Sequence, residues 1–272
     1  MSSTLPLLLE PQMLAARLGE ANLLVIDLGK AQVFQQAHVP GAVHLDFNAL
    51  RKGSQPAPGL LPDKESLEAV FSSLGLTPDT HVVACDDEGG GWAGRLLWTL
   101  ESIGHTRYSW LNGGIHAWLA DGQPTDSTAT PRAPSEYRIE RILEHTNISL
   151  EELLTRLDDP NLVIWDARSE EEFSGMRAYA QKAGHIPGAI NYDWTEPMDR
   201  SRHLRIRDLD SVRAEMAQLG FTADKEIIVH CQTHHRSSYS WLVGRLLGLN
   251  IRAYAGSWSE WGNHADTPVA KY

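Results

Sequence analysis

Short runs of Val, Ile and Leu punctuate the chain: LLVIDL at 23–28, HVVACD at 81–86, LVIWDA at 162–167 and EIIVHC at 226–231. Between them lie segments whose apolar positions recur at helical spacing, such as KESLEAVFSSLG at 64–75 and LDSVRAEMAQLG at 209–220. Each of these ends in a glycine, as a helix C-terminus does. Apolar strands alternating with helices predict βαβ units around a mostly parallel sheet, an α/β fold. In such sheets ligands gather outside the carboxyl ends of the strands. The residue at that position after EIIVH is Cys231.

The pattern occurs twice. LLVIDLG (23–29) resembles LVIWDAR (162–168), and AHVPGAVHLDF (37–47) resembles GHIPGAINYDW (184–194). DTHVVACDDEGG (79–90) resembles DKEIIVHCQTHH (224–235), and LNGGIHAW (111–118) resembles YAGSWSEW (254–261). Four landmarks in the same order imply a tandem duplication of one domain rather than a solenoid of short repeats. QPTDSTATPRAPSEY (123–137) is rich in Pro, Ser and Thr and reads as the connection. The expected layout is a first domain at 1–123, a linker at 124–142 and a second domain at 143–272.

Composition narrows the function. The chain has 272 residues, 42% of them hydrophobic, and a formal net charge of −11. An acidic balance argues against a broad nucleic-acid surface, which needs clustered Lys and Arg. No apolar run reaches the roughly 18 residues of a membrane span. MSSTLPLLLEPQ lacks the basic start of a signal peptide, so a cytoplasmic protein is expected. The default expectation for assembly is a monomer. Two cysteines without a CxxC pair favour neither a disulfide framework nor a zinc site, and no metal is expected. Ser149, in an NIS triplet, fits a capping box with Glu152 better than a glycosylation site.

The segment CQTHHR, residues 231–236, is the candidate site. A strand-to-helix loop points its backbone N–H groups inward, and the helix start adds about half a positive charge. Gln232, Thr233, His234, His235 and Arg236 would surround a thiol whose reactive form is the thiolate. The same cradle would hold an anionic substrate or a charged sulfur adduct. Cys85 reads as a small buried hydrophobe. His230, His38 and His185 read as structural, and Trp194 reads as core. Aligned on the apolar runs, Asp86 takes the place of Cys231, and DDEGGG replaces CQTHHR. That first loop has no nucleophile, so the N-terminal copy is expected to be catalytically inactive. The basic run RSRHLRIR (200–207) reads as a solvated surface segment.

These residues resemble the tandem-domain rhodaneses, the thiosulfate sulfurtransferases. The likeness rests on HVPGA and GHIPGA, on DAR at 166–168, and on the six-residue loop, which is similar to that of the bacterial Azotobacter and Pseudomonas type. The resemblance implies two tandem domains, each a central parallel sheet flanked by helices. It implies transfer of sulfur from thiosulfate through a persulfide on Cys231 to cyanide or a thiol, with Arg236 contacting substrate and no cofactor. This chain lacks the CRKGVT loop of the animal enzymes and the CGSGVT loop of the mercaptopyruvate-specific ones. Glu172 also stands where the animal enzymes place an arginine. A 3-mercaptopyruvate sulfurtransferase, a noncatalytic persulfide carrier to a protein acceptor or protein-binding module, and a Cys-dependent phosphatase or arsenate reductase are the competing readings. The last uses C-x5-R, whereas Cys231 to Arg236 is one residue shorter.

Overall fold

The four apolar runs become the central strands of two parallel sheets in the computed structural model, which describes residues 5–271. The first repeat runs β1 (Leu8–Leu9), α1 (Pro11–Ala15), β2 (Leu23–Asp27), α2 (Ala31–Gln36), β3 (Val43–His44), α3 (Lys64–Ser73), β4 (His81–Cys85), α4 (Gly91–Ser102), β5 (Tyr108–Leu111) and α5 (Gly114–Ala120). The second runs α6 (Leu150–Thr155), β6 (Leu162–Asp166), α7 (Glu170–Ser174), β7 (Ile190–Asn191), β8 (Met198–Asp199), β9 (Arg205–Ile206), α8 (Leu209–Gln218), β10 (Glu226–His230), α9 (Arg236–Leu246), β11 (Asn250–Ala253) and α10 (Ser257–Trp261). The sheet orders are β1-β5-β4-β2-β3 and β11-β10-β6-β7, all pairs parallel. The expected α/β class with two parallel sheets is what forms. No helix among the described residues is long and apolar enough to cross a membrane.

The central strands are apolar because helices cover both of their faces. All of β2 is buried, and so is β4 beyond His81. Val25 and Val83 pack with Leu9, Leu111 and Trp118, while Ile164 and Ile228 pack with Tyr254, Trp258 and Trp261. Each fully buried aliphatic side chain contributes about 1.5–3 kcal/mol. Asp63 and Asp208 cap α3 and α8 by accepting from the N–H groups of Ser66 and Ser211, so equivalent helices start by the same device.

The histidines before the Pro-Gly turns also do equal work. His38 lies face to face with Phe34 at 3.8 Å and its Nδ1 meets the Phe34 carbonyl; His185 lies at 3.8 Å on Phe173 and meets that carbonyl. Both are buried, as their structural reading requires. Ser149 caps α6 through the Glu152 N–H, but Glu152 turns its carboxylate to Arg252 instead of closing the box. The complete capping box is at Ser169 and Glu172.

Compact units do not coincide with contiguous repeats. One comprises the chain up to Leu50, Pro62–Leu143 and Met198–Ile206. The other comprises Arg51–Leu61, Glu144–Pro197 and the chain from Arg207 onward. The stretch expected to be a linker has little regular structure, yet it is held to the first unit. Tyr137 and Ile139 are buried, and the N–H groups of Tyr137 and Ile139 bond Ser72 and Glu68. The basic run departs from a purely solvated segment. Leu204 has a positive φ, β8 and β9 pair antiparallel, and Arg205 is buried against Asp121 and Glu10. Only Arg200 and Arg202 remain exposed charges of that arm, because Arg205 finds two carboxylates that the sequence spacing does not reveal.

The DAR element is a buried ion pair. Arg168 donates to both oxygens of Asp166 and to the Gly184 carbonyl, and its guanidinium lies 4.3 Å from the Trp258 ring centre. Burial pushes the Asp166 carboxyl up, but His230 and Arg168 more than offset it and hold it below the usual range. Arg168→Ala strands that carboxylate in the core and is expected to cost about 3–5 kcal/mol, as read by chemical denaturation.

Candidate active site

The register of the central strands places the two loops at equivalent points. Asp27 pairs with Cys85 at the end of β2 and β4, and Asp166 pairs with His230 at the end of β6 and β10. The next residue is Asp86 in one unit and Cys231 in the other. Both are fully buried at the carboxyl end of a central strand, followed by a helix.

In the first unit the loop amides converge on a carboxylate. Asp86 Oδ1 accepts from the N–H groups of Glu88, Gly89 and Gly90, and Oδ2 accepts from those of Trp92 and Ala93. The first-turn amides of α4 have no partner within their own helix, so an anion here satisfies them. Burial and Glu88 push the Asp86 carboxyl up to about 6, against the pull of these donors. It is therefore mainly ionised at neutral pH. Cys85 is the neighbour that faces inward, where burial and the Asp27 charge push its thiol up and away from reactivity.

In the second unit the sulfur of Cys231 takes the place of that carboxylate. Ser237 Oγ donates to Sγ across 3.4 Å, and the same oxygen is 2.8 Å from His234 Nδ1. With the Ser237 proton on the sulfur side, His234 donates from Nδ1, giving a chain His234–Ser237–Cys231. The loop backbone is pinned from behind. Trp258 N–H donates to the Cys231 carbonyl, Ser259 N–H to that of Gln232, and Ser238 Oγ to that of His234. His230 is buried between Asp166 at 3.6 Å and the Cys231 carbonyl at 3.1 Å, a structural setting in which burial pulls its pKa down against the opposing pull of Asp166.

The remaining loop residues are spread around this centre. Gln232 reaches the Tyr179 carbonyl, Thr233 is half-buried, and His235 lies beside Trp194 with ring centres 6.0 Å apart. Trp194 is half-buried and also meets Tyr239 edge-on, so it walls the loop instead of filling the core. The reason is its place after β7, on the same end of the sheet as the loop. Arg236 is the first residue of α9. Its guanidinium grips Glu172 with two bonds of 2.6 and 2.9 Å. Burial works against the Arg236 charge, and Glu172 and nearby Cys231 more than offset it, so it stays firmly protonated. Burial likewise raises Glu172, but Arg236 brings it below the usual carboxylate range.

Two residues of this site have left-handed backbones, His234 at φ 52° and Ser257 at φ 57°. The aligned positions of the first unit are glycines, Gly89 and Gly114. Non-glycine residues in that region cost about 1–3 kcal/mol each and persist where the surroundings enforce them. Ser237, Ser257 and the partner role of Glu172 were not singled out by the sequence. Ser237 is the second residue of a helix that starts Ser-rich, and Glu172 sits far away in the chain.

A rhodanese-like domain model matches residues 10–121 and again 149–264. The chain belongs to the rhodanese-like family. The chain is similar to the thiosulfate sulfurtransferase of Pseudomonas aeruginosa, 49% identical with 98% of each chain covered. It is similar to that of Azotobacter vinelandii, 46% identical with 98% of each covered. It is also similar to the sulfur carrier protein TtuD of Thermus thermophilus, 31% identical over 88% of this chain and 87% of the relative. Among solved structures, SseA from Escherichia coli, a 3-mercaptopyruvate sulfotransferase, superposes with a TM-score of 0.83 at 26% identity, covering 93% of this chain and 99% of that one. Both rhodanese-like units thus contain a strand-loop-helix cradle, filled by Asp86 in one and by Cys231 in the other.

A hydrogen bond to a charged acceptor is worth about 1.5–3 kcal/mol. Ser237→Ala is therefore expected to slow alkylation of Cys231 by iodoacetamide at neutral pH by about tenfold. Liquid chromatography and mass spectrometry of the labelled peptide would measure it, and an unchanged rate removes Ser237 from the site.

Proposed function

We propose that the chain is a thiosulfate sulfurtransferase that carries sulfane sulfur on Cys231. The observation that carries this reading is near-full-length identity of 49% and 46% to two thiosulfate sulfurtransferases, with Cys231 at the ligand-binding end of the sheet. The thiolate attacks the outer sulfur of thiosulfate. A new S–S bond forms, and sulfite leaves with the electron pair of the old one. Cyanide, or a thiolate, then attacks the terminal sulfur and Cys231 departs as thiolate, giving thiocyanate or a new persulfide. No electron is gained or lost overall, so no cofactor is required.

In this reading the amides of Thr233, His234, His235, Ser237 and Ser238 are the counterparts of those that hold Asp86. Asp86 is a useful guide, since its carboxylate oxygens stand two atoms beyond Cβ, as the outer sulfur of a cysteine persulfide does. Ser237 supplies a hydroxyl proton to the negative sulfur, oriented by His234. Gln232 and His235 line the approach beside Trp194. Arg236 supplies charge near substrate while bound to Glu172, so its field is partly cancelled before any anion arrives. The first unit, with Asp86 as its own anion, is catalytically silent.

The resemblance to a sulfur carrier protein supports a second acceptor class, a protein thiol that takes the persulfide sulfur. The proposed compartment is the cytoplasm, whose reducing poise keeps Cys231 as a thiol.

Incubation with thiosulfate is expected to add the mass of one sulfur atom to the intact protein, and cyanide is expected to remove it with release of thiocyanate. Cys231→Ser abolishes both steps, while Cys85→Ala leaves turnover within about twofold of the parent, since Cys85 lies outside the cradle. Equal loss in both variants would overturn the assignment. Glu172→Gln frees the Arg236 charge and is expected to lower the KM for thiosulfate, with kcat little changed; steady-state kinetics at fixed ionic strength distinguish this from a structural effect.

A further inference from the structure

The second unit includes Arg51–Leu61, a segment drawn from the first repeat of the sequence. It closes on itself: Lys52 N–H donates to the Leu60 carbonyl at 2.8 Å and Gly53 N–H to that of Pro58 at 3.3 Å. Its tip is exposed, but Ala57, Pro58 and Gly59 are buried. Just before it, Arg95 donates twice to the Leu50 carbonyl, at 3.1 and 2.6 Å, which fixes where the segment leaves the first unit's chain.

The buried end lies on the active loop. A Cβ at Gly59 would fall on the carbonyl oxygen of Thr233, 2.5 Å from the carbonyl oxygen of Ala255 and 2.8 Å from the Thr233 carbonyl carbon. All three are backbone atoms, which cannot swing aside as a side chain can. Thr233 is the centre of the Cys231–Arg236 loop, and Ala255 lies two residues before the left-handed Ser257. The first unit repeats the arrangement with its own inserted arm, Met198–Ile206: a Cβ at Gly89 would be 2.6 Å from Met198 Cε, and one at Gly113 would be 2.6 Å from the His203 carbonyl oxygen.

We infer that the Ala57–Pro58–Gly59 strap is part of the sulfur-transfer machinery, with Gly59 a positioning residue that sets the Thr233 backbone and so the loop carrying Cys231. This rests on the sulfurtransferase reading above. The trapped left-handed His234 beside Thr233 is a backbone state that the sequence does not favour by itself, and the strap presses on the loop that holds it. A shift of about 1 Å in a reacting group can cost about 100-fold in rate. A Cβ at Gly59 forces a displacement of that order.

The test uses the full chain. Gly59→Ala is expected to lower kcat for thiosulfate-to-cyanide transfer about 100-fold and to slow persulfide formation in step, with the KM for cyanide and the far-ultraviolet circular dichroism unchanged. Pro58→Gly, which loosens the strap without adding atoms, is expected to give a severalfold fall in kcat. Ser54→Ala, at the exposed tip, is expected to behave as the parent. A folded Gly59→Ala protein with parental kcat overturns the inference. If Gly59→Ala fails to fold, Pro58→Gly decides, and parental kcat there overturns it. A parent protein that takes up no sulfur from thiosulfate refutes the sulfurtransferase reading instead.

Discussion

Backbone N–H groups at the start of a helix must find an acceptor once water is excluded, and both units of this chain are organised by that demand. Each ends a buried central strand in a short loop and begins a helix beside it. The first unit meets the demand permanently, with the five amide bonds to Asp86. The second leaves the same position to Cys231, whose sulfur is smaller and accepts a hydrogen bond from the Ser237 hydroxyl. A cradle built for negative charge is thus fully committed in one unit and available to a sulfur adduct in the other. The duplicated fold supplies the electrostatics, and the residue that follows the central strand decides what the cradle holds, a carboxylate at Asp86 and a thiol at Cys231.

Charge around Cys231 is arranged in compensated pairs. Arg168 is matched by Asp166, and Arg236 by Glu172, so neither guanidinium stands as an uncompensated cation. The attraction for an anion then falls mainly to the loop amides and the start of α9, which are fixed dipoles. Such dipoles hold charge locally without creating a long-range field, which suits a chain whose net charge is −11. The left-handed His234 and Ser257 belong to the same economy. The first unit makes those turns with glycine, and the second uses side chains there that bond Ser237 and the Tyr254 carbonyl.

Much of the fold was legible because it is written in local chemistry. The apolar runs, the capping aspartates and the paired Pro-Gly landmarks each act within a few residues, so the parallel sheets and the equivalence of Asp86 with Cys231 could be read directly. The position of Cys231 could be read for the same reason. Interactions closing across long stretches of chain could not. Glu172 was visible only as an absent arginine, and its bond to Arg236 spans 64 residues. Arg205 looked like one charge in a basic run until Asp121 and Glu10 met it. Gly59 carried no signal, since a glycine in a Pro-rich loop looks like any other turn. The boundaries drawn at 123 and 143 followed composition, whereas compactness follows contacts and gives each unit a piece of the other repeat.

That exchange of segments ties the histories of the two repeats together. After an ordinary duplication, the silent copy is free to drift or be lost. Here the first repeat holds residues 51–61, and losing it would remove a part of the other unit. Recombination that severed the chain near residue 130 would therefore not release a complete second unit. A constraint acting on one cysteine thus reaches back some 170 residues, to a glycine in the other repeat.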